Sequence, residues 1–280
     1  MIATTRIGGF TALAAGDAGA PVVLVLHGFP DTPHTFAPLV EAVARAGYRV
    51  VAPWLRGYAP SPLAGPYHLD ALAADAVAWA DALSPARPVA LVGHDWGAAI
   101  TYAACARAPA RFRAAVAMSV PHPAVFVRAL ATPAQLARSW YMLAFQLPGA
   151  VRCASLGDFA LVDLLWRTWS PGYRLPAALR DELHATLRAS WPAPLLYYRA
   201  MTRPPREAVA RLRRRDRVAV PTLYLHGATD GCIGPAVGDG AERYFTGGYR
   251  RELVAGAGHF LAAEAPRAVA DRVIAWLDDH

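Results

Sequence analysis

The residues best suited to covalent chemistry lie in Val92-Gly93-His94-Asp95-Trp96-Gly97-Ala98. An apolar run, Pro88–Val92, precedes this stretch and a small-residue helical run, Ala98–Ala106, follows it. That order reads as strand, sharp turn, helix, with the apex side chain pointing out above a sheet. Glycines two residues to either side of Asp95 leave the backbone room to fold tightly. Such turns usually carry a serine, and an aspartate here narrows the chemistry. A carboxylate attacking an electrophilic saturated carbon gives an ester that water can cleave at the carboxyl carbon, whereas a serine would leave an ether. Epoxides and alkyl halides fit that scheme; ordinary esters do not, because Asp attack on them gives an anhydride. Taken alone, Gly-His-Asp-Trp-Gly would serve equally well as a strand-end turn with a solvated Asp.

A nucleophile of this kind needs a base, and the base needs an orienting group. Asp230 follows the strand-like run ending at Leu225, and His259 in Gly256-Ala-Gly-His259-Phe follows Arg251–Ala255. Both therefore fall at the carboxyl ends of strands, where sites in such sheets sit. Separately, Asp230 reads as a turn former and His259 as a helix-entry residue; together with Asp95 they make a nucleophile, acid and base. The end of the preceding core strand is the other place for an acid, but Ser119-Val-Pro-His122 offers no carboxylate. An oxyanion hole needs two backbone N–H groups. Trp96 supplies one and Phe29, in His27-Gly28-Phe29-Pro30, the other; the Phe29–Pro30 bond is of the type that permits cis geometry. His27 and His94 read as loop supports.

The elements around these residues alternate. Residues 3–15 read as a short hairpin, Pro21–Leu26 as a strand buried on both faces, Phe36–Ala46 as a helix, Tyr48–Pro53 as a strand and Asp70–Leu83 as a helix. Phe112–Val120 is a further strand. Strands alternating with helices imply a mostly parallel sheet with right-handed crossovers. From 122 to 218 no strand is expected; four Trp, four Tyr and amphipathic segments such as Pro133–Leu147 and Pro176–Ser190 make this a helical insertion. The strand pattern resumes at Val220–Leu225 and Arg251–Ala255, and Ala265–Leu277 closes the chain as a helix. The expected organisation is thus an α/β core, 1–121 and 219–280, with a cap at 122–218.

The 280 residues, 55% of them hydrophobic, suffice for one large core with an insertion. No apolar run approaches the ~20 residues that cross a bilayer. Met1–Phe10 lacks the charged and apolar regions of a signal peptide, so a cytoplasmic protein is expected. Cys105, Cys153 and Cys232 show neither metal-ligand spacing nor a disulfide framework. The formal charge is +7, and all 28 basic residues are arginine. The run Arg211–Arg217 reads as a solvated helix end or loop, since no stacking aromatics or nucleic-acid motif accompany it.

The whole chain resembles the α/β-hydrolase superfamily, in its aspartate-nucleophile branch of epoxide hydrolases and haloalkane dehalogenases. His-Gly-Phe-Pro at 27–30, Gly-His-Asp-Trp-Gly at 93–97, the Asp230 turn, Gly-Ala-Gly-His-Phe at 256–260 and the order nucleophile, acid, base all carry the likeness. Epoxide hydrolases hold the epoxide oxygen with two cap tyrosines. Tyr141–Gly149 is similar to the family segment bearing the first and Leu196–Arg199 to that bearing the second, which implies these roles for Tyr141 and Tyr198, with Tyr197 as the alternative to Tyr198. Trp140, Phe145, Trp169 and Tyr197 are expected to bind substrate. Haloalkane dehalogenases use two side-chain N–H donors instead; Trp96 offers one, a cap tryptophan would have to be the other, and Phe29 stands where that branch often has Asn or Glu. The arginines that fluoroacetate dehalogenases place after the nucleophile are missing. Trp54 stands where many relatives have Asp, a departure that bears on substrate choice.

The resemblance implies a cofactor-free and metal-free hydrolase converting an apolar or aromatic epoxide to a vicinal diol through an Asp95 ester. Its partners are a small epoxide and water, with a homodimer allowed and neither nucleic acid nor membrane required. Haloalkane dehalogenation and a non-catalytic binding protein on the same scaffold are the alternatives.

Overall fold

The computed structural model describes residues 1–212 and 215–280. The arginine run read at 211–217 therefore lies partly outside the described residues. Eight strands form one sheet: β1 (Ala3–Ile7), β2 (Phe10–Ala15), β3 (Val22–Leu26), β4 (Arg49–Pro53), β5 (Val89–His94), β6 (Phe112–Met118), β7 (Thr222–Gly227) and β8 (Tyr249–Val254). Their spatial order is β1-β2-β4-β3-β5-β6-β7-β8. The six strands from β4 to β8 in that order run parallel, and β2 pairs antiparallel with both β1 and β4. Every residue of β3, β5 and β7 is buried, as expected of apolar strands covered on both faces. The expected hairpin and mostly parallel sheet are thus both present.

Among the helices, α1 (Ala37–Arg45) joins β3 to β4, α2 (Leu69–Leu83) joins β4 to β5, and α3 (Trp96–Arg107) joins β5 to β6. From β3 the chain moves toward one edge of the sheet, and from β5 toward the other. With right-handed crossovers, α1 covers one face and α2 with α3 the opposite one. The last helix packs against α1, and α2 against α3. The reversal leaves a crevice beyond the carboxyl ends of the adjacent strands β3 and β5, the usual place for a ligand in an open parallel sheet. Phe29 follows β3 and Asp95 follows β5, so both stand at that crevice.

Between β6 and β7 the described residues form α4 (Pro123–Ala129), α5 (Pro133–Arg138), α6 (Trp140–Ala144), α7 (Ala150–Ala154), α8 (Leu156–Trp169), α9 (Ala177–Ser190), α10 (Ala193–Thr202) and α11 (Pro205–Leu212). The amphipathic stretch 133–147 is two short helices rather than one. The break falls at buried Ser139, whose hydroxyl accepts from Gln135 Nε2 at 3.0 Å. Gly157, Asp158 and Phe159 adopt left-handed backbone, so regular helix in α8 begins only after them. After β8 come α12 (Leu261–Glu264) and α13 (Pro266–Asp278). Among the described residues no helix is long and apolar enough to cross a membrane.

Leu24 lies fully buried at the centre of β3, between Val51 of β4 and Leu91 of β5. Leu24→Ala should lower the unfolding free energy by about 2–5 kcal/mol, the range for buried leucines that leave a cavity. Urea denaturation followed by circular dichroism measures this.

Candidate active site

Asp95 sits at φ 52°, ψ −116°, a conformation that costs a non-glycine residue on the order of 1–3 kcal/mol. The surrounding backbone enforces it. The Asp95 N–H donates to Met118 O at 3.2 Å, and its carbonyl accepts from Ala98 and Ala99 at 3.0 and 3.2 Å as α3 begins. Glycine is required on both sides by close approach. A Cβ at Gly93 would lie 2.1 Å from Gly97 O, and one at Gly97 would lie 2.1 Å from Leu26 O on β3. The turn is therefore pressed against the neighbouring strand, and its side chain can leave only above the crevice.

The Phe29 N–H donates to Asp95 Oδ1 at 2.8 Å, and Phe29–Pro30 is cis. Gly28 lies so close that a Cβ there would fall 2.4 Å from Asp95 Cβ. Trp96 is the first residue of α3, where a helix N–H has no acceptor within the helix. His27 is a support for this loop: its Nε2 accepts from Leu55 N–H at 3.0 Å and its Nδ1–H donates to Gly28 O at 2.9 Å. His94 donates from Nε2 to His259 O at 2.9 Å. Burial lowers both histidines to about 4, so both are neutral at physiological pH. Asp31, buried in the same loop, is pushed up to about 8 by burial despite hydrogen bonds from Thr32 and Thr35.

His259 is fully buried, with Nδ1 2.9 Å from Asp230 Oδ2 and Nε2 3.6 Å from Asp95 Oδ2. Asp230 Oδ1 accepts from the Cys232 and Ile233 N–H groups at 2.7 and 2.9 Å. Burial would raise the Asp230 carboxyl, but the nearby His259 and these donors hold it below the ordinary carboxylate value. Burial likewise works against the His259 imidazolium, yet Asp230 and Asp95 together raise it to about 10. The fold thus brings Asp95, His259 and Asp230 into one chain of contacts.

A cavity of about 170 Å³ reaches Asp95 and Trp96. Tyr141, Tyr197 and Tyr198 also line it. The two candidates for the second tyrosine differ in their hydroxyls. That of Tyr197 donates to Arg56 O, and Arg56 is itself held by Asp75. That of Tyr198 is buried and makes no well-shaped hydrogen bond among the described residues, its polar neighbours being the Trp96 and Tyr141 side chains. The Tyr141 hydroxyl lies 3.5 Å from Cys232 Sγ. Burial raises all three tyrosines well above 10, so each stays protonated and able to donate.

The other expected pocket residues are placed differently. Trp140 is 45% exposed and does not line the cavity, because α6 turns Tyr141 inward and its neighbour outward. Phe145 and Trp169 are buried behind the wall: Phe145 packs on Phe29 and Tyr198, and Trp169 on Tyr141 and His259. The wall itself includes Tyr102, Phe126, Val127, Met142 and Met201, which were not singled out from sequence. Met142 was the most accessible of these, being the neighbour of Tyr141 on a short helix. Among the described residues no group of three or more His, Cys, Asp and Glu is gathered as a metal site.

Residues 21–266 match the family described as the alpha/beta hydrolase fold, and the chain belongs to that family. Within it, similar proteins include several epoxide hydrolases. The chain is 32% identical to epoxide hydrolase A of Mycobacterium tuberculosis over 94% of its own length and 92% of the relative's. It is 29% identical to epoxide hydrolase 4 of mouse over 97% and 77% of the two chains. Among solved structures, an inhibitor complex of Bacillus megaterium epoxide hydrolase superposes with a TM-score of 0.85 at 25% identity, covering 99% of this chain and 100% of that one.

Folding raises the affinity of His259 for its proton, so between pH 6.5 and about 10 the folded state holds more protons than the unfolded chain. The stability this group contributes is complete below 6.5 and is lost as pH rises through about 10. Denaturation midpoints should therefore fall across that range in the native protein. In a His259→Gln variant the fall should be shallower.

Proposed function

We propose that the chain hydrolyses an epoxide to a vicinal diol, with Asp95 as nucleophile, His259 as base and Asp230 orienting the base. The observation that carries this reading is the buried Tyr198 hydroxyl, which makes no well-shaped hydrogen bond among the described residues, in one pocket with Tyr141 and an aspartate nucleophile. A donor kept dry and unsatisfied is costly unless a substrate atom completes it. An epoxide oxygen is such an atom, and Asp95 is the nucleophile suited to the carbon beside it.

Asp95 Oδ1 is held by the Phe29 N–H, which leaves Oδ2 to attack a ring carbon. The C–O bond of the ring breaks as the new ester bond forms, and the oxygen takes a proton from Tyr198 or Tyr141. Asp95 is then uncharged. One of the two carboxylates that kept His259 protonated is gone, so the imidazolium gives up its proton to restore the tyrosine. Neutral His259 takes a proton from a water that attacks Asp95 Cγ. The oxyanion develops on the atom already facing the Phe29 N–H, with the Trp96 N–H completing the hole. Collapse releases the diol and regenerates the carboxylate beside a protonated His259. The base is thus disarmed before the ester forms and armed by its formation.

The apolar wall of Phe126, Val127, Met142 and Met201 suits a small alkyl or aryl epoxide. Dehalogenation is less well supported. Trp166 and Trp191 spend their indole N–H groups on Pro30 O and Val151 O, Trp140 faces solvent, and Trp169 is buried behind the cavity wall rather than lining it.

A His259→Gln protein exposed to styrene oxide should gain the mass of the whole epoxide on Asp95. An adduct from a bromoalkane only would move the chain to the dehalogenases, and no adduct from a wide epoxide panel would end the proposal. Tyr198→Phe should reduce kcat/KM by about 10²-fold, as for loss of an oxyanion-hole donor. Tyr197→Phe should change it far less, because that hydroxyl serves Arg56; steady-state kinetics of the two variants separates them.

A further inference from the structure

The last residue of cap helix α8 and the residue after it reach the turns that carry both Asp230 and His259. The carbonyl of Trp169, at the end of α8, accepts from the Gly231 N–H at 2.9 Å and from the His259 N–H at 3.1 Å. These donors belong to the acid turn and the base turn. The next residue, Ser170, is fully buried. Its Oγ accepts from the Phe260 N–H at 3.1 Å and donates to Glu264 Oε1 at 2.6 Å. Glu264 Oε2 in turn accepts from the Gly258 N–H at 2.8 Å. Three successive backbone N–H groups, 258 to 260, are therefore held by the cap end and by the carboxyl group it engages.

The approach is as close as the chain allows. A Cβ at Gly231 would lie 2.1 Å from Thr168 O, and one at Gly258 would lie 2.7 Å from Ser170 Cα. From the opposite side, His94 and Ser119 of the core donate to the His259 carbonyl, at 2.9 and 2.5 Å. The base turn is clamped between core and cap, with the His259 carbonyl on the core and the His259 and Phe260 N–H groups on the cap. Asp95 has no such dependence, since its backbone and side-chain hydrogen-bond partners among the described residues, Met118, Ala98, Ala99 and Phe29, all belong to the core.

We infer that Ser170 is a positioning residue for His259, acting through the Phe260 N–H and Glu264, and that it governs hydrolysis of the ester more than its formation. The inference rests on the Asp95 ester proposed above. Ester formation uses Asp95, held by the core, and the cap tyrosines. Ester hydrolysis uses His259, and a displacement of about 1 Å in a catalytic group can cost on the order of 10²-fold in rate. A slower second step lowers kcat and KM together, because enzyme accumulates as ester, and leaves kcat/KM near its original value.

The test is Ser170→Ala, with Ser170→Thr as the variant that retains the hydroxyl, Glu264→Gln as an independent cut of the same link, and His259→Gln as control. Each is mixed with styrene oxide and followed by intact mass and steady-state kinetics. Ser170→Ala and Glu264→Gln should accumulate ester during turnover, with kcat and KM reduced in parallel by 10-fold or more and kcat/KM within 3-fold of the parent. Ser170→Thr should recover most of kcat. Loss of kcat/KM without ester, a loss of thermal stability alone, or no recovery by threonine would overturn the inference. Should Ser170→Ala fail to fold, the Glu264→Gln partition between ester and free enzyme decides. A His259→Gln control that forms no ester would instead overturn the underlying mechanism, and the inference with it.

Discussion

One steric constraint governs this molecule: a strained aspartate backbone at the end of β5, wedged between the two parallel strands that flank β5. The positive φ of Asp95 is held by the hydrogen bond to β6 and by contact of Gly97 with β3, so the turn cannot relax without parting the sheet. Because β3 and β5 send their chains in opposite directions, the same point is where the sheet opens to a ligand. Asp95 and the N–H of Phe29 meet there because the loops after two neighbouring strands begin there. The strain is offset by a sheet whose central strands are wholly buried.

Electrostatics adds a second layer. His27 and His94 are kept neutral by burial, while His259, no less buried, is kept charged by two carboxylates. Three histidines within one small volume thus differ in state solely through what faces them. The neutral pair serves the backbone, and the charged one is left responsive to the fate of Asp95.

Much of this could be read from residues alone. The β-branched runs of β3 and β4 and the breakers that follow the strands gave the sheet, and Asp95, Asp230 and His259 were visible because each sits just past a strand. The cap was legible only as helical. The helix carrying Trp140 and Tyr141 is only five residues long, so the period that separates an inward from an outward side chain is sampled barely once; adjacent in sequence, the two face solvent and pocket respectively. Tyr197 and Tyr198 are adjacent and both buried, so they could not be told apart until the first was found bonded to Arg56. Backbone acceptors leave no signature at all. Nothing in the letters marks the carbonyl of Trp169, although Gly231 and Gly258 are traces of the space it needs.

The cap leaves the sheet after β6 and returns at β7, and those two strands are hydrogen-bonded neighbours. The ends of the insertion are therefore fixed one strand spacing apart whatever its length. In polymer terms it is a closed loop whose closure entropy grows only logarithmically, about 0.6 kcal/mol for each doubling. Residues can be gained or lost between α4 and α11 at little expense to the sheet, so pocket shape can diverge while the strand-end chemistry stays put. The exception is the segment ending at Ser170, where lengthening or shortening the chain would shift the register of the turns that carry Asp230 and His259.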